Sequence, residues 1–216
     1  MKTIQKLKLN NEVIDGLCSF FKGADLLISN DKEIATIYAY LLLQATGIER
    51  LQKIIYILDY YDKNGTEITD KELKTQLGHG ILQIHQQFLS TYFDSKEYKY
   101  IEKALEILTK IVNVKDGYRY ANFNLHNNET FNIHSHICKI LDGLNSDDIN
   151  DPVKTSWHVI NIILTKYISI LVNLIWHNKV GNSEVKPICL QDYVTKGWQE
   201  INLESEIKSI LDKSRV

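Results

Sequence analysis

The stretch over residues 31–62 constrains this chain most, because its apolar residues recur every three or four positions. One ridge of such positions contains Ile34, Ile37, Leu41, Ile48, Leu51, Ile55 and Leu58. A second ridge contains Leu43, Ile54, Ile57 and Tyr61. A helix that is apolar around much of its circumference is typical of the centre of a helical protein. We therefore predict a long central helix, capped by Asn30 or Asp31 and ended by the Asn-Gly pair at 64–65.

The rest of the chain also carries helical rather than strand periodicity. Apolar spacing predicts helices over about 11–28, 94–113 and 203–213, and "TDKE" at 69–72 is a capping box that opens a short helix. "NDPV" at 150–153 predicts a helix that runs to about 178. The segment near 113–150 is rich in Asn, Asp and Gly and is predicted to be irregular. The fold class is therefore all-α, an antiparallel helical bundle with long central helices.

Length and charge limit the domain organisation and the class of partner. A chain of 216 residues is most simply one domain, although the helices of residues 151–216 could form a separate lobe. The net charge of −2 gives no global attraction to nucleic acid or to anionic membranes. The apolar stretch 159–177 contains Asn161, Lys166 and Asn173, each costly in lipid. We predict a buried helix there, no membrane association and a cytoplasmic protein.

The first candidate site is "GIERLQK" at 47–53, inside the central helix. Glu49 and Lys53 are four residues apart in the favourable order for an ion pair. Arg50 has apolar helical neighbours, so we predict that it is partly buried and needs a carboxylate, carbonyl or phosphate partner. Gly47 costs about 1 kcal/mol relative to Ala in a helix. It therefore predicts close approach of another backbone or of a ligand, and both a structural network and a site remain open.

The second candidate is "LGHG" at 77–80, where Gly78 ends one helix and His79 opens the next. The positive end of a helix dipole disfavours a charged imidazole. His79 would then be a neutral histidine suited to act as base or donor, or simply a cap.

Arginine usage supports a special role for the internal arginines. The chain has three arginines among 25 basic residues, so two internal ones indicate a need for the planar guanidinium.

The third candidate is "GYRYANFNLH" at 117–126, with Arg119 and His126 seven positions apart. On one helix these residues would share a face about 10 Å apart along the axis, able to straddle a phosphodiester. Gly117 and the neighbouring asparagines favour a bend or loop instead. The pair is therefore either the working pair of an RNA-cutting site or two unrelated residues. Tyr120 and Asn122, next to it, are candidate residues of a binding site or polar network.

Metal and cofactor sites find little support in the sequence. "HSHIC" places His134, His136 and Cys138 together, but no second cluster supplies the remaining zinc ligands. The chain has no Walker loop, no GxGxxG, no HExxH and no GxSxG. We predict no metal and no cofactor.

The blocks "GIERLQK", "GH" and "RYANF" resemble those of uncharacterised bacterial helical proteins, which are similar to the HEPN superfamily of helical bundles. The resemblance covers roughly residues 31–126. It implies a bundle that often dimerises, and many members are metal-independent endoribonucleases in defence or toxin–antitoxin systems. Their R-x(4–6)-H motif matches Arg119 and His126, although Tyr120 replaces the usual polar residue after the arginine.

Two functions follow from these observations. In the first, the chain is a non-enzymatic, HEPN-like interaction or ligand-binding module of bacterial defence or stress. Glu49, Arg50, His79, Arg119 and Tyr120 would then form one polar network, and a homodimer, RNA or another protein would be the partner. In the alternative, the chain is a metal-independent endoribonuclease. Arg119 would stabilise the pentavalent phosphate, and His126 would act as general acid or base. The first is the preferred interpretation.

Overall fold

The structure, a computed structural model, describes residues 1–29, 34–78, 80–93, 95–112, 149–177, 179–180, 190 and 200–215. Helices make up nearly all of these residues. The α-helices, in chain order, are α1 (Thr3–Ser29), α2 (Ile34–Asn64), α3 (Asp70–Leu77), α4 (Ile81–Ile84), α5 (Ser95–Val112), α6 (Pro152–Trp176) and α7 (Leu203–Ser214). Between α4 and α5 the chain forms a π-helix at His85–Leu89 and a 3-10 turn at Ser90–Tyr92. The predicted all-α class is confirmed.

Helices α1 and α2 form a closely packed antiparallel hairpin. Gly16 faces Gly47 at the crossing, and a Cβ atom at position 47 would lie 2.5 Å from the carbonyl oxygen of Gly16. Nearby, the buried Gln44 donates from Nε2 to the carbonyl oxygen of Phe20 at 2.7 Å. The prediction that Gly47 admits a neighbouring backbone is confirmed, and that backbone belongs to α1.

Helices α4 and α5 form a second antiparallel pair across the π-helix. The backbone N–H of Leu82 donates to the Thr109 hydroxyl at 3.0 Å, and Gln86 donates to Glu102 at 2.6 Å. The apolar side chains of Ile101, Leu105 and Leu108 point inward from α5 and are fully buried. These three residues form the core-facing side of α5.

Helix α6 lies in the core, against both α2 and α5. Trp157 packs edge-on against Tyr40 of α2 with ring centroids 6.3 Å apart, and the Tyr40 hydroxyl donates to Asn161 at 3.3 Å. By length and composition alone α6 could span a membrane, but 67% of its most apolar window is buried inside the protein. Because Gln52 of α2 meets Tyr167 further along α6, the two helices run in the same general direction where they touch. The bundle is thus not antiparallel throughout.

A buried lysine attaches α7 to the rest of the bundle. Lys166 of α6 donates to the carbonyl oxygen of Ile201 at 2.7 Å and lies 3.6 Å from the carboxylate of Glu97 in α5. The same carboxylate accepts the backbone N–H of Leu203, at the start of α7. An ammonium group held away from water needs such compensation. The apolar residues of α6 and α7 belong to the same buried cluster as those of α1 and α2.

Local sequence signals predict the helix ends well. Thr69 and Glu72 form the reciprocal hydrogen bonds of a capping box, and Asp151 caps α6 with Pro152 in its first turn. Gly78 ends α3 with a positive φ of 53°. One boundary is wrong: α1 begins at Thr3, not near residue 11. The extra turns carry Ile4 and Leu7 on the solvent side and only Leu9 against the core, so the core-facing pattern that the prediction followed is weak there.

Candidate functional site

Arg50 lies on α2 at the edge of the α1–α2 contact. Its guanidinium donates to Glu12 of α1 at 2.5 Å and lies 3.6 Å from Asp15, one turn further along α1. The arginine side chain is 38% exposed. The predictions of partial burial and of a carboxylate partner both hold for Arg50. Two carboxylates of α1 balance its charge at the edge of the hairpin, so this arginine joins the two helices.

Glu49 and Lys53 form the predicted i, i+4 ion pair on α2, with 2.5 Å between Nζ and the carboxylate. Their side chains are only 14% and 25% exposed, which makes the pair less solvated than an ordinary surface pair. Glu49 and Arg50 point to different partners, because Arg50 turns toward α1. Neighbouring positions in a helix are about 100° apart. Within "GIERLQK", Glu49 therefore pairs with Lys53 on α2, whereas Arg50 pairs with carboxylates of α1.

The Arg50–Glu12 contact should be measurable as a coupling in stability. In a double-mutant cycle of Arg50→Met and Glu12→Gln, we expect a coupling energy of about 0.5–1 kcal/mol, since both side chains are partly solvated. Urea unfolding of the four proteins at low and high salt measures it, and salt should reduce it. The matched control is Arg215→Met, which removes an arginine 3.4 Å from Asp212 at the opposite end of the chain. A coupling of zero would contradict the structural role.

A buried polar network joins α2, α6 and the π-helix. Gln52 donates from Nε2 to the Tyr167 hydroxyl at 2.8 Å and to the carbonyl oxygen of Ile81 at 3.0 Å. The Tyr167 hydroxyl lies 3.2 Å from Nδ1 of His85. Having accepted from Gln52, the hydroxyl can donate its hydrogen to Nδ1, which places the proton of the neutral ring on Nε2. Gln52, Tyr167 and His85 are all fully buried.

Aromatic rings surround His85. Phe93, Tyr98 and Tyr167 have ring centroids 4.9, 5.3 and 5.3 Å from the imidazole. Burial lowers the pKa of His85 to about 4, although the nearby carboxylate of Glu102 acts in the opposite direction. The same burial raises the pKa of the Tyr167 hydroxyl far above its usual value. Both groups are therefore neutral over the physiological pH range.

This network cannot act on a substrate from solvent, because none of its three side chains reaches the surface. Among the described residues, Nε2 of His85 and Oε1 of Gln52 have no hydrogen-bond partner. Buried polar groups that lack a partner cost stability, whereas the hydrogen bonds that Gln52 and Tyr167 do form favour this packing arrangement. The π-helix that carries His85 adds a residue to the turn and is a geometry often found at functional sites.

The sequence predictions missed this network. For His85 the sequence predicts only that it packs or faces solvent. One available signal was Gln52, whose helical neighbours Ile48 and Ile55 belong to the apolar ridge of the central helix. A polar side chain in that position must find a buried partner. The partner itself lies 115 residues away in sequence, so the pattern could not identify it.

The outer face of α1 is a second unusual surface. Its members recur at alternating spacings of three and four residues and are apolar apart from one asparagine: Ile4, Leu7, Asn11, Ile14, Cys18 and Phe21. Ile4, Leu7 and Ile14 are 63%, 57% and 39% exposed, and Cys18 is a free, exposed thiol. Gly16 and Phe20, on the opposite side of α1, face α2. A row of exposed apolar side chains therefore runs along the solvent side of α1 between charged residues, and Phe21 at its end is partly buried against the core.

A cavity of about 260 Å³ opens between the start of α1, α2 and α3. Its lining combines Leu9, Ile57 and Leu73 with Lys8, Glu67 and Asp70. The described lining therefore carries one lysine and two carboxylates beside its apolar side chains. Glu49, Arg50 and Lys53, the predicted site residues that the structure describes, are not among its described lining residues.

Five predicted site residues lie outside the described part of the chain: His79, Arg119, Tyr120, Asn122 and His126. The structure therefore places Glu49, Arg50 and Lys53 but does not bear on the Arg119–His126 pair. Within the described ranges, no group of three His, Cys, Asp or Glu residues could hold a metal ion. The "HSHIC" residues His134, His136 and Cys138 also lie outside those ranges.

Comparison of the chain with protein-family models, with curated proteins and with solved structures gave no match.

Proposed function

We propose that this chain is a non-enzymatic helical module that binds a partner or a ligand. The observation that carries the proposal is the pairing of Arg50 with Glu12 and Asp15. An arginine that served a phosphate site would keep its guanidinium available to the phosphate oxygens. Here two carboxylates of α1 balance its charge, and the group stabilises the hairpin.

The polar groups in the interior support the same proposal. Gln52, Tyr167 and His85 bond to one another and lie out of reach of solvent. Lys166 is bound to a backbone carbonyl next to Glu97. These charged and polar side chains hold helices together. The resemblance of residues 31–126 to HEPN-like bundles agrees with a non-catalytic role in bacterial defence or stress, since some such proteins are binding modules.

The competing function is a metal-independent endoribonuclease that uses Arg119 and His126. The R-x(4–6)-H spacing is the observation in its favour. In such a site, Arg119 would stabilise the charge on the phosphate and His126 would transfer a proton to or from the ribose. Two such sites would meet at a dimer cleft, according to the resemblance.

Incubation of purified protein with single-stranded and structured RNA in the presence of EDTA tests the proposal. We expect no cleavage by the wild type above that of Arg119→Ala and His126→Ala proteins purified in the same way. Circular dichroism controls for folding of the three proteins. Cleavage by the wild type that both variants lose, with folding intact, would overturn the proposal and establish the nuclease.

A further inference from the structure

We propose that the outer face of α1 binds the same face of a second copy of this chain, in an antiparallel arrangement. The proposal rests on the proposed function, because it names the partner of the interaction module. It does not rest on the HEPN resemblance, since α1 precedes residues 31–126.

The spacing of the outer face is that of a helix-pairing surface. Positions 4, 7, 11, 14, 18 and 21 alternate by three and four residues, the heptad pattern by which two helices pack side by side. Ile4 and Leu7 leave more than half of their surface exposed. Water contact with large apolar side chains is unfavourable. A second helix with the same pattern would remove this surface from water.

Charge selects the antiparallel direction and its register. The contact between the two outer faces is called the seam here. In an antiparallel pair with Leu7 opposite Cys18 of the second copy, Lys8 lies at the edge of this seam, beside Asp15 of the second copy. The two-fold symmetry of the pair creates this contact twice. Asp15 lies 3.6 Å from Arg50 of its own chain, but its side chain is 63% exposed, so its carboxylate can also face Lys8 of the second copy. Shifting the antiparallel pair by one heptad in either direction would bring lysine beside lysine.

A parallel pair lacks this complementarity. In register, the edge of a parallel seam would place Lys8 beside Thr3 of the second copy and Asp15 beside Asn10 of the second copy. No opposite charges would meet along the seam. The dipoles of the two helices would also point the same way, whereas antiparallel dipoles attract each other. The antiparallel pair is therefore the favoured one.

The polar member of the face, Asn11, lies near the two-fold axis of the antiparallel pair. It is opposite Ile14 of the second copy, so the two Asn11 residues are about 4.5 Å apart along the axis. A carboxamide both donates and accepts hydrogen bonds, and the two amides can therefore bond to each other across the seam. A buried asparagine of this kind fixes the register of a helix pair at a cost in stability. The Asn11 amides would also meet in a parallel pair. The charges, and not Asn11, therefore favour the antiparallel direction of the two helices.

The length of the seam sets the expected affinity. Residues 4–21 span about 26 Å of helix. One helix pair of this length buries less area than a standard protein interface, so we expect a weak, micromolar dimer. The side of α1 that packs on α2 is not involved. Substitutions on the outer face should therefore leave the folded monomer intact.

Sedimentation velocity over a concentration series tests the association with matched variants. We expect a concentration-dependent dimer for the wild type. Leu7→Glu should weaken it about tenfold or more, because two charged residues would enter the apolar seam. The control is Leu42→Glu, since Leu42 of α2 is 38% exposed and lies about 140° around that helix from Gly47. Leu42→Glu should dimerise like the wild type.

Oxidative cross-linking tests the register. With Cys138 and Cys189 replaced by serine, Leu7→Cys should form a disulfide with Cys18 of the second copy under mild oxidation. The same background with Leu7 intact should remain uncrosslinked, because the two Cys18 thiols of an antiparallel pair lie about 16 Å apart along the axis. Efficient cross-linking through Cys18 alone would indicate a parallel pair and overturn the proposal.

Two further outcomes are decisive. A wild type that stays monomeric at submillimolar concentration would overturn the self-association, and so would a dimer that Leu7→Glu leaves unchanged. Neither outcome would produce RNA cleavage. Failure of this inference is therefore distinguishable from failure of the proposed non-enzymatic function.

Discussion

Acidification to about pH 4 should lower the free energy of unfolding by roughly 3 kcal/mol through His85 alone. Burial holds the pKa of this imidazole at about 4 in the folded chain, against 6.5 when it is exposed on unfolding. A folded-state pKa below the unfolded value means that the unfolded chain binds the proton more tightly. The stability is therefore complete above pH 6.5 and is lost as the pH falls from 6.5 toward about 4. Each pKa unit corresponds to about 1.4 kcal/mol.

Urea unfolding across this pH range measures the effect. Carboxylates also titrate near its lower end, so the informative quantity is the difference between the wild type and His85→Gln. We expect His85→Gln to be less stable at neutral pH but to lose less stability on acidification. His158→Gln, at an exposed histidine of α6, should follow the wild-type curve. If the free energy of unfolding fell equally with pH in the wild type and in His85→Gln, His85 would not be held neutral by burial.

Gly47→Ala should destabilise the chain by about 2 kcal/mol, whereas Gly16→Ala should be close to neutral. Both glycines lie inside long helices, so alanine gains about 1 kcal/mol of helix propensity at either position. The clash differs. The new Cβ atom would lie 2.5 Å from the Gly16 carbonyl oxygen in the first case and 3.2 Å from the Gly47 carbonyl oxygen in the second. Backbone cannot move aside as a side chain can, so overpacking dominates at position 47.

Thermal and urea unfolding of the two variants side by side measures this difference. The pair is its own control, because the change in side chain and in helix propensity is the same. If Gly47→Ala were as stable as Gly16→Ala, the two helices would be further apart than the structure shows.

Short-range sequence signals accounted for most of the fold. Thr69 with Glu72, and Asp151 with Pro152, act within one helical turn, so their hydrogen bonds follow directly from the order of residues. The apolar ridges of the central helix predicted α2 for the same reason. The start of α1 did not follow, because Ile4 and Leu7 contribute to a solvent-facing surface rather than to the core.

The sites depended on contacts between distant residues, and prediction was weaker there. The neighbours of Arg50 indicated the type of partner, but Glu12 lies 38 residues away and only the packing of α1 on α2 identifies it. The partners of His85 depend on the π-helix, which shifts the register by one residue. No local sequence pattern specifies that shift. Glu49 and Lys53, one turn apart, form the ion pair that the sequence predicted.

The distribution of contacts along the chain has a consequence for the order of folding. The α1–α2 hairpin joins neighbouring segments, and its close contact at Gly16 and Gly47 needs nothing that follows residue 64. The Gln52–Tyr167 bond, by contrast, closes a loop of 115 residues. The entropic cost of closure grows with loop length, and such contacts form late. On the ribosome the hairpin would therefore be complete before α6 is synthesised and before Gln52 can bond to Tyr167.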